Sequence, residues 1–191
     1  MVSRDKIVFD IETKDTFADV GGKSNFLNLS VSVVGTYSYN KDEYKVFGED
    51  EMESLGELLK TANPLIGFSS KNFDVPVLNK YFDFNLTAVP HFDILEEIRS
   101  TYGRRIALNY LGKANLGLEK TSHGLEASNM YKRGEIEKLK EYCQQDVKIT
   151  KEIFDLIEER GYLWIPQRNT PQMEKVHISY NEPDISQESL I

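Results

Sequence analysis

Four carboxylates stand where the surrounding pattern calls for apolar residues. In the run Ile7-Val8-Phe9-Asp10-Ile11-Glu12, a strand's alternation puts Ile7, Phe9 and Ile11 on one face and Val8, Asp10 and Glu12 on the other. Asp146 follows Tyr142 by four residues in a helical stripe that continues through Ile149 and Ile153, so a carboxylate sits inside an apolar strip. Asp74 opens a helix directly after a short strand and loop, the crevice in which α/β sheets bind ligands. Plainer readings compete. Asp10 and Glu12 can face water at a strand end, and Asp146 can sit at the edge of its stripe beside a lysine. Asp74 can serve as a helix cap, where an acid also suits the helix dipole.

If these acids from three remote stretches meet, they repel one another and raise each other's pKa values. Two divalent cations would supply the four positive charges that balance them. The ligands are all oxygen and no Cys/His set accompanies them, which selects Mg²⁺ or Mn²⁺. Two such ions about 3.5–4 Å apart clamp an in-line displacement at phosphorus, and the chemistry expected is hydrolysis of a phosphodiester.

The elements that must carry these residues follow from periodicity. Residues 6–12 form a short strand. Residues 29–39 and 43–47, rich in β-branched and aromatic side chains, flank Asn40-Lys41-Asp42 and predict a hairpin. Residues 50–62 open with acids and place Met52, Leu55, Leu58 and Leu59 at helical spacing, with Pro64 as the stop. Residues 65–68 are a short strand running into the loop 69–72, and a helix runs from 73–75 to about Phe82. Residues 89–93 predict a strand, 94–102 a helix, and 106–120 a short helix and a loop. The longest periodic segment is 135–160, closed by Gly161. Its buried stripe is Ile136, Leu139, Cys143, Val147, Thr150, Phe154 and Ile157. Residues 162–165 add a last strand. The pattern predicts an α/β layer fold with a mixed sheet. Residues 1–166 form the domain, and the polar stretch 167–191 is expected to be a tail or docking arm.

Composition narrows the classes. With 40% hydrophobic and 28% charged residues, the 191-residue chain is that of an ordinary folded domain, which excludes dominant disorder. No apolar run approaches a membrane span of about 18 residues, so no membrane partner is expected. The opening MVSRDKIVFDIET meets acids before any apolar run, and the lone Cys143 has no disulfide partner; both predict a cytoplasmic protein. The net charge of −8 excludes a protein that coats nucleic acid by bulk basicity.

Three motifs carry a resemblance. Phe9-Asp10-Ile11-Glu12-Thr13, the run from Gly67-Phe68-Ser69-Ser70-Lys71-Asn72 through Phe73-Asp74-Val75-Pro76-Val77-Leu78, and Tyr142-Cys143-Gln144-Gln145-Asp146 resemble, in order, the three motifs of the DEDD superfamily of 3′–5′ exonucleases. The third is of the tyrosine subtype (DEDDy), and the second has the form seen in proofreading exonuclease domains of family B DNA polymerases. The resemblance covers about residues 5–165. It implies an RNase H-like three-layer fold with a central mixed β-sheet flanked by helices, and a two-metal hydrolysis that releases nucleoside 5′-monophosphates from single-stranded DNA or RNA with a free 3′ end. It further implies that Asp10 bridges both cations, that Glu12 and Asp146 complete the first site, that Asp74 supports the second, and that Tyr142 orients the attacking water. The histidine subtype needs an imidazole where this chain has Glu141, and His91, His123 and His177 read as structural or surface residues. The second Tyr-x-x-x-Asp, Tyr180 to Asp184, contains Pro183 and does not compete. Many relatives carry Asn where Ser69 stands. A chain of this length has no room for polymerase palm and fingers, so the expectation is a free-standing nuclease or a subunit whose partner is a polymerase, a helicase or another repair protein.

Substrate contacts are expected from Ser69, Asn72 and Phe73 around the second motif and from Arg104, Arg105 and Lys113. The stretch 99–120 holds five basic residues against the single acid Glu119, and its Tyr102 and Tyr110 offer faces on which bases stack. An ordinary solvated helix face is the equal alternative. Phe17, Phe26 and Phe73 are candidate wedges between terminal bases, with a core role the stronger reading for Phe73. Two rival functions remain at this stage. One is an RNase H-like endonuclease or junction resolvase, told apart by oligonucleotide rather than mononucleotide products. The other is a catalytically silent nucleic-acid-binding domain, whose usual sign is loss of a ligand acid.

Overall fold

A nine-residue strand, β1 (Asp5–Thr13), lies in the middle of a five-stranded sheet in the computed structural model of the chain, which describes residues 4–118, 125–168 and 170–182. β2 (Val31–Ser38) and β3 (Glu43–Phe47) form the expected hairpin and pack antiparallel on one side of β1. β4 (Ala62–Gly67) and β5 (His91–Asp93) lie parallel on the other side, giving the order β3-β2-β1-β4-β5. The sheet is therefore mixed.

Period-two alternation in β1 decides which helices cover which face. Ile7, Phe9 and Ile11 join Leu55 and Leu59 of α1 (Met52–Lys60) and Val75, Val77 and Leu78 of α2 (Asp74–Leu78) in one core. Val8 faces the opposite way, into a core with Val147, Ile153 and Phe154 of α6 (Ile136–Arg160). Each fully buried aliphatic or aromatic side chain contributes about 1.5–3 kcal/mol, so both faces must be covered. The outcome is helix, sheet and helix in three layers. Among the described residues no helix is long and apolar enough to cross a membrane.

Several expectations need correction. Pro64 does not stop α1. That helix ends at Lys60 with Thr61 as its cap, and Pro64 lies inside β4. It sits beside the register shift between Asp5 and Ile7 on the neighbouring strand, where a residue without an N–H costs the ladder least. The helix after Phe73 has five residues and tightens into a 3₁₀ turn, Asn79–Tyr81. α3 (Ile94–Tyr102) and α4 (Leu108–Leu116) fall where expected. α5 (Leu125–Lys132) goes unread in the sequence. Among the described side chains, Ala127 and the half-buried Met130 and Tyr131 pack it against Leu139 and Cys143, too sparse a set to show a period.

The largest difference is beyond Pro166. β6 (Tyr162–Pro166) pairs antiparallel with β7 (Met173–His177). Val176 and Ile178 are buried, and the Tyr180 ring meets Phe92 and Phe154 edge-on with centroids 5.2 and 4.9 Å away. Where a tail or docking arm was expected, residues 173–180 thus pack onto the domain through Val176, Ile178 and Tyr180. Their apolar residues occupy alternate positions within a polar sequence, which lowers mean hydropathy and conceals a one-faced strand. The end of the expected tail, 183–191, lies outside the described residues.

Candidate metal centre

A glycine brings the third motif to the first. Gly35 of β2 lies opposite Asp10 in the β1–β2 register. A Cβ there would stand 2.7 Å from Cγ2 of Val147 and 3.0 Å from Sγ of Cys143, so the long helix rests directly on the strand backbone. The Cys143 thiol, pointing down from α6, donates to the Asp10 carbonyl at 3.7 Å. Asp146 is thereby held over the end of β1. One carboxylate oxygen each from Asp10, Glu12 and Asp146 lie within 4.8 Å of one another, and all three residues are half-buried.

Asp74 arrives by a different route. A Cβ on Gly67 would stand 2.1 Å from the Ser70 hydroxyl oxygen, so the chain can fold tightly back on itself after β4. Asp93, which has no solvent exposure, braces this turn. Its carboxylate accepts the backbone N–H groups of Ser69 (2.9 Å), Lys71 (3.0 Å), Leu95 (3.0 Å) and Glu96 (3.2 Å). It thereby holds the second motif's loop and caps α3 at once. The buried Asp74 is the first residue of α2, and its carboxylate accepts the N–H of Ile11 at 3.2 Å, which ties the second motif to β1. Asp74 lies outside the three-acid set but raises the pKa of both Asp10 and Glu12.

The electrostatics are those of uncompensated negative charge. Burial, followed by the charges of Asp74, Asp146 and Glu12, holds Asp10 well above the ordinary carboxylate range. Burial, followed by Asp146 and Asp74, does the same to Glu12. Burial pushes Asp146 to about 6 and Asp74 to about 7, the latter although its own backbone N–H and that of Ile11 favour the ionised form. Among the described residues no lysine or arginine forms an ion pair with any of the four. Convergent, half-buried oxygen donors without a cationic side chain fit hard divalent cations, and the residues that would hold them are Asp10, Glu12, Asp74 and Asp146. Tyr142 stands one helical turn before Asp146. Burial and the charges of Asp146, Glu12 and Asp10 push its phenol up, so the hydroxyl keeps its proton.

The remaining expected contacts separate. Ser69 adopts a left-handed conformation (φ 65°), and its hydroxyl accepts Nη2 of Arg105 at 3.1 Å. Asn72 is exposed at the end of the same loop, and Lys113 is exposed on α4. Phe73 packs between Phe17 (5.9 Å) and Phe26 (6.0 Å), joining the three candidate wedges in one cluster. Arg104 is committed elsewhere. It donates to the Pro166 carbonyl at 2.6 Å and stacks on Tyr102 at 4.9 Å. His91 is structural: half-buried, pushed down to about 3 by desolvation, and bonded to the Ser70 hydroxyl at 2.8 Å. His177 lies exposed on β7, while His123, Glu119 and Lys120 lie outside the described residues. Gly35 and Asp93 escaped the sequence reading. A single glycine inside a β-branched strand, a mark of close backbone approach, was the available signal for the first. Asp93, just ahead of a helix, was readable only as a cap.

A family model described as RNase_H superfamily matches residues 7–158, and the chain belongs to that superfamily. Among solved structures it is similar to the family B DNA polymerase from the hyperthermophilic archaeon Pyrobaculum calidifontis, with 16% sequence identity and a TM-score of 0.58 over 82% of this chain and 25% of that chain. The chain spans about a quarter of that polymerase's length, and at this identity the likeness concerns the fold. No curated protein sequence matches the chain.

Proposed function

We propose that this protein is a metal-dependent 3′–5′ exonuclease that hydrolyses single-stranded nucleic acid to nucleoside 5′-monophosphates. The observation that carries this reading is the convergence of Asp10, Glu12 and Asp146 oxygens within 4.8 Å, with Asp74 alongside and Tyr142 one turn from Asp146. Two Mg²⁺ or Mn²⁺ ions, when bound, acidify the attacking water and neutralise charge developing at the phosphate. Asp10, whose carboxyl feels the charges of Asp74, Asp146 and Glu12, would be shared between both ions. Glu12 and Asp146 would hold one ion and Asp74 would support the other. Tyr142, protonated, orients the water by donating its hydroxyl hydrogen. Asn72, Arg105 and Lys113, exposed around the second motif and on α4, are the proposed contacts to the strand's phosphates. The aromatic cluster of Phe17, Phe26 and Phe73 supplies an apolar surface for the terminal base.

The test is hydrolysis of 3′- and 5′-labelled single strands with and without Mg²⁺ or Mn²⁺. Stepwise shortening from the 3′ end is expected, halted by EDTA and abolished in Asp10→Ala. Predominantly internal cuts would overturn the exonuclease reading. An unchanged rate in Asp10→Ala would overturn the site.

A further inference from the structure

We propose that the outer face of the β6–β7 hairpin, with α4 beside it, is a second binding surface for single-stranded nucleic acid, over which a strand seated at the carboxylates continues. This rests on single-stranded nucleic acid being the substrate.

Alternation in the hairpin buries Leu163, Ile165 and Val176 and turns Tyr162, Trp164, Met173 and Lys175 outward. Trp164 is 36% exposed and Tyr110, on the neighbouring helix, 57%. Asn115 of α4 ties the helix to the hairpin backbone: its side chain accepts the backbone N–H of Trp164 at 2.8 Å, donates to the Trp164 carbonyl at 2.8 Å, and accepts Nη2 of Arg160 at 2.7 Å. The Tyr162 ring carries Arg160 at 4.6 Å and Lys175 at 3.9 Å, which sets two cations beside the aromatic residues of this face. Stretches 99–118 and 160–180 together hold seven lysines and arginines against one acid, Glu174, in a chain whose net charge is −8.

Stacking faces interleaved with cations suit a polyanion with bases, and the local surplus attracts it against the repulsion of the whole molecule. Contacts connect this face to the metal centre. Arg105 bonds Ser69 in the second motif's loop, and the adjacent Arg104 bonds the Pro166 carbonyl at the end of β6. The occupant is thus a strand and not a short ligand, because β6 alone extends about 17 Å.

Trp164 is the chain's one tryptophan, so intrinsic fluorescence reports on this face without mutation. The experiment titrates the full chain with dT16 and dT4 in EDTA, which stops hydrolysis, and measures the anisotropy of labelled dT16 in parallel. We expect tryptophan quenching by dT16 that is much weaker with dT4, and about tenfold loss of dT16 affinity in Trp164→Ala. In Lys175→Glu the slope of log affinity against log salt falls by about 0.7, the value of one lost phosphate contact on a single strand. Lys41→Glu, the same charge change at the β2–β3 turn, leaves affinity and slope unaltered. An unquenched tryptophan with dT16, or wild-type affinity and slope in Lys175→Glu, overturns the proposal. Quenching without cleavage in Mg²⁺ sustains this surface while refuting the exonuclease. Cleavage without quenching does the reverse.

Discussion

Gly35→Ala tests whether the contact between α6 and the sheet builds the site. On its own, alanine in a strand is favoured over glycine by about 0.4–1 kcal/mol, because the unfolded chain has less freedom to lose. Here the new methyl meets Val147 Cγ2 at 2.7 Å, Cys143 Sγ at 3.0 Å and the Cys143 carbonyl oxygen at 3.3 Å. Restoring an ordinary carbon–carbon separation of about 3.5 Å requires α6 to retreat by roughly 0.8 Å. Overpacking of this kind costs about 1–3 kcal/mol, leaving a net loss of about 1–2 kcal/mol. At this chain length that lowers Tm by roughly 3–6 °C. The larger effect falls on activity. The retreat carries Asp146 away from Asp10 and Glu12, and a misplacement near 1 Å costs about a hundredfold in rate. Circular-dichroism melting paired with the rate of mononucleotide release in Mg²⁺ measures both. Adding Val147→Ala to Gly35→Ala removes the nearest clash and should recover much of the rate, although the truncation itself lowers Tm. A Gly35→Ala protein that melts at or above the wild-type temperature with full activity would refute the reasoning.

Two further outcomes follow from the charges at the site. In metal-free protein Asp146 and Asp74 titrate at about 6 and about 7, against an ordinary value of 3.8. The folded chain therefore holds protons that the unfolded chain has released between about pH 4 and 7, and stability falls as pH rises through that window. Urea unfolding in EDTA should show roughly 1–3 kcal/mol more stability at pH 5 than at pH 7.5, with Mg²⁺ restoring most of the loss; stability that climbs across this range would contradict the raised pKa values. Tyr142→Phe should lower kcat about tenfold to a hundredfold with little change in Tm. The upper limb of its pH–rate profile should match the wild type, because a phenol that keeps its proton contributes no titration there. Loss of a basic-limb pKa in the variant would instead make Tyr142 a base.

Much of the site was legible because the relevant periods are local. Two residues per repeat put Asp10 beside Glu12 and opposite Ile11, and 3.6 per turn put Asp146 under Tyr142 on the inward stripe of α6. The same arithmetic failed where a partner lay far along the chain. Asp74 has the sequence context of a helix cap, yet its carboxylate bonds the N–H of Ile11, sixty-three positions earlier, because β4 ends before Ile11 and leaves that donor to be filled. Arg104 looked like a substrate contact until β6 supplied the Pro166 carbonyl. Val176, Ile178 and Tyr180 are too sparse to announce a strand, and only their packing beside Phe92 and Phe154 shows why they are apolar.

By itself, then, the sequence determined the residue types, the face each occupies and the order of the elements, since these depend on backbone geometry over a few residues. Only the tertiary structure decided that β1 lies between β2 and β4, that α6 comes down onto Gly35 until side chains touch backbone, and that Asp93 clamps the loop leading to Asp74. Those are packing outcomes between segments remote in the chain, and the distances between the four acids are set there.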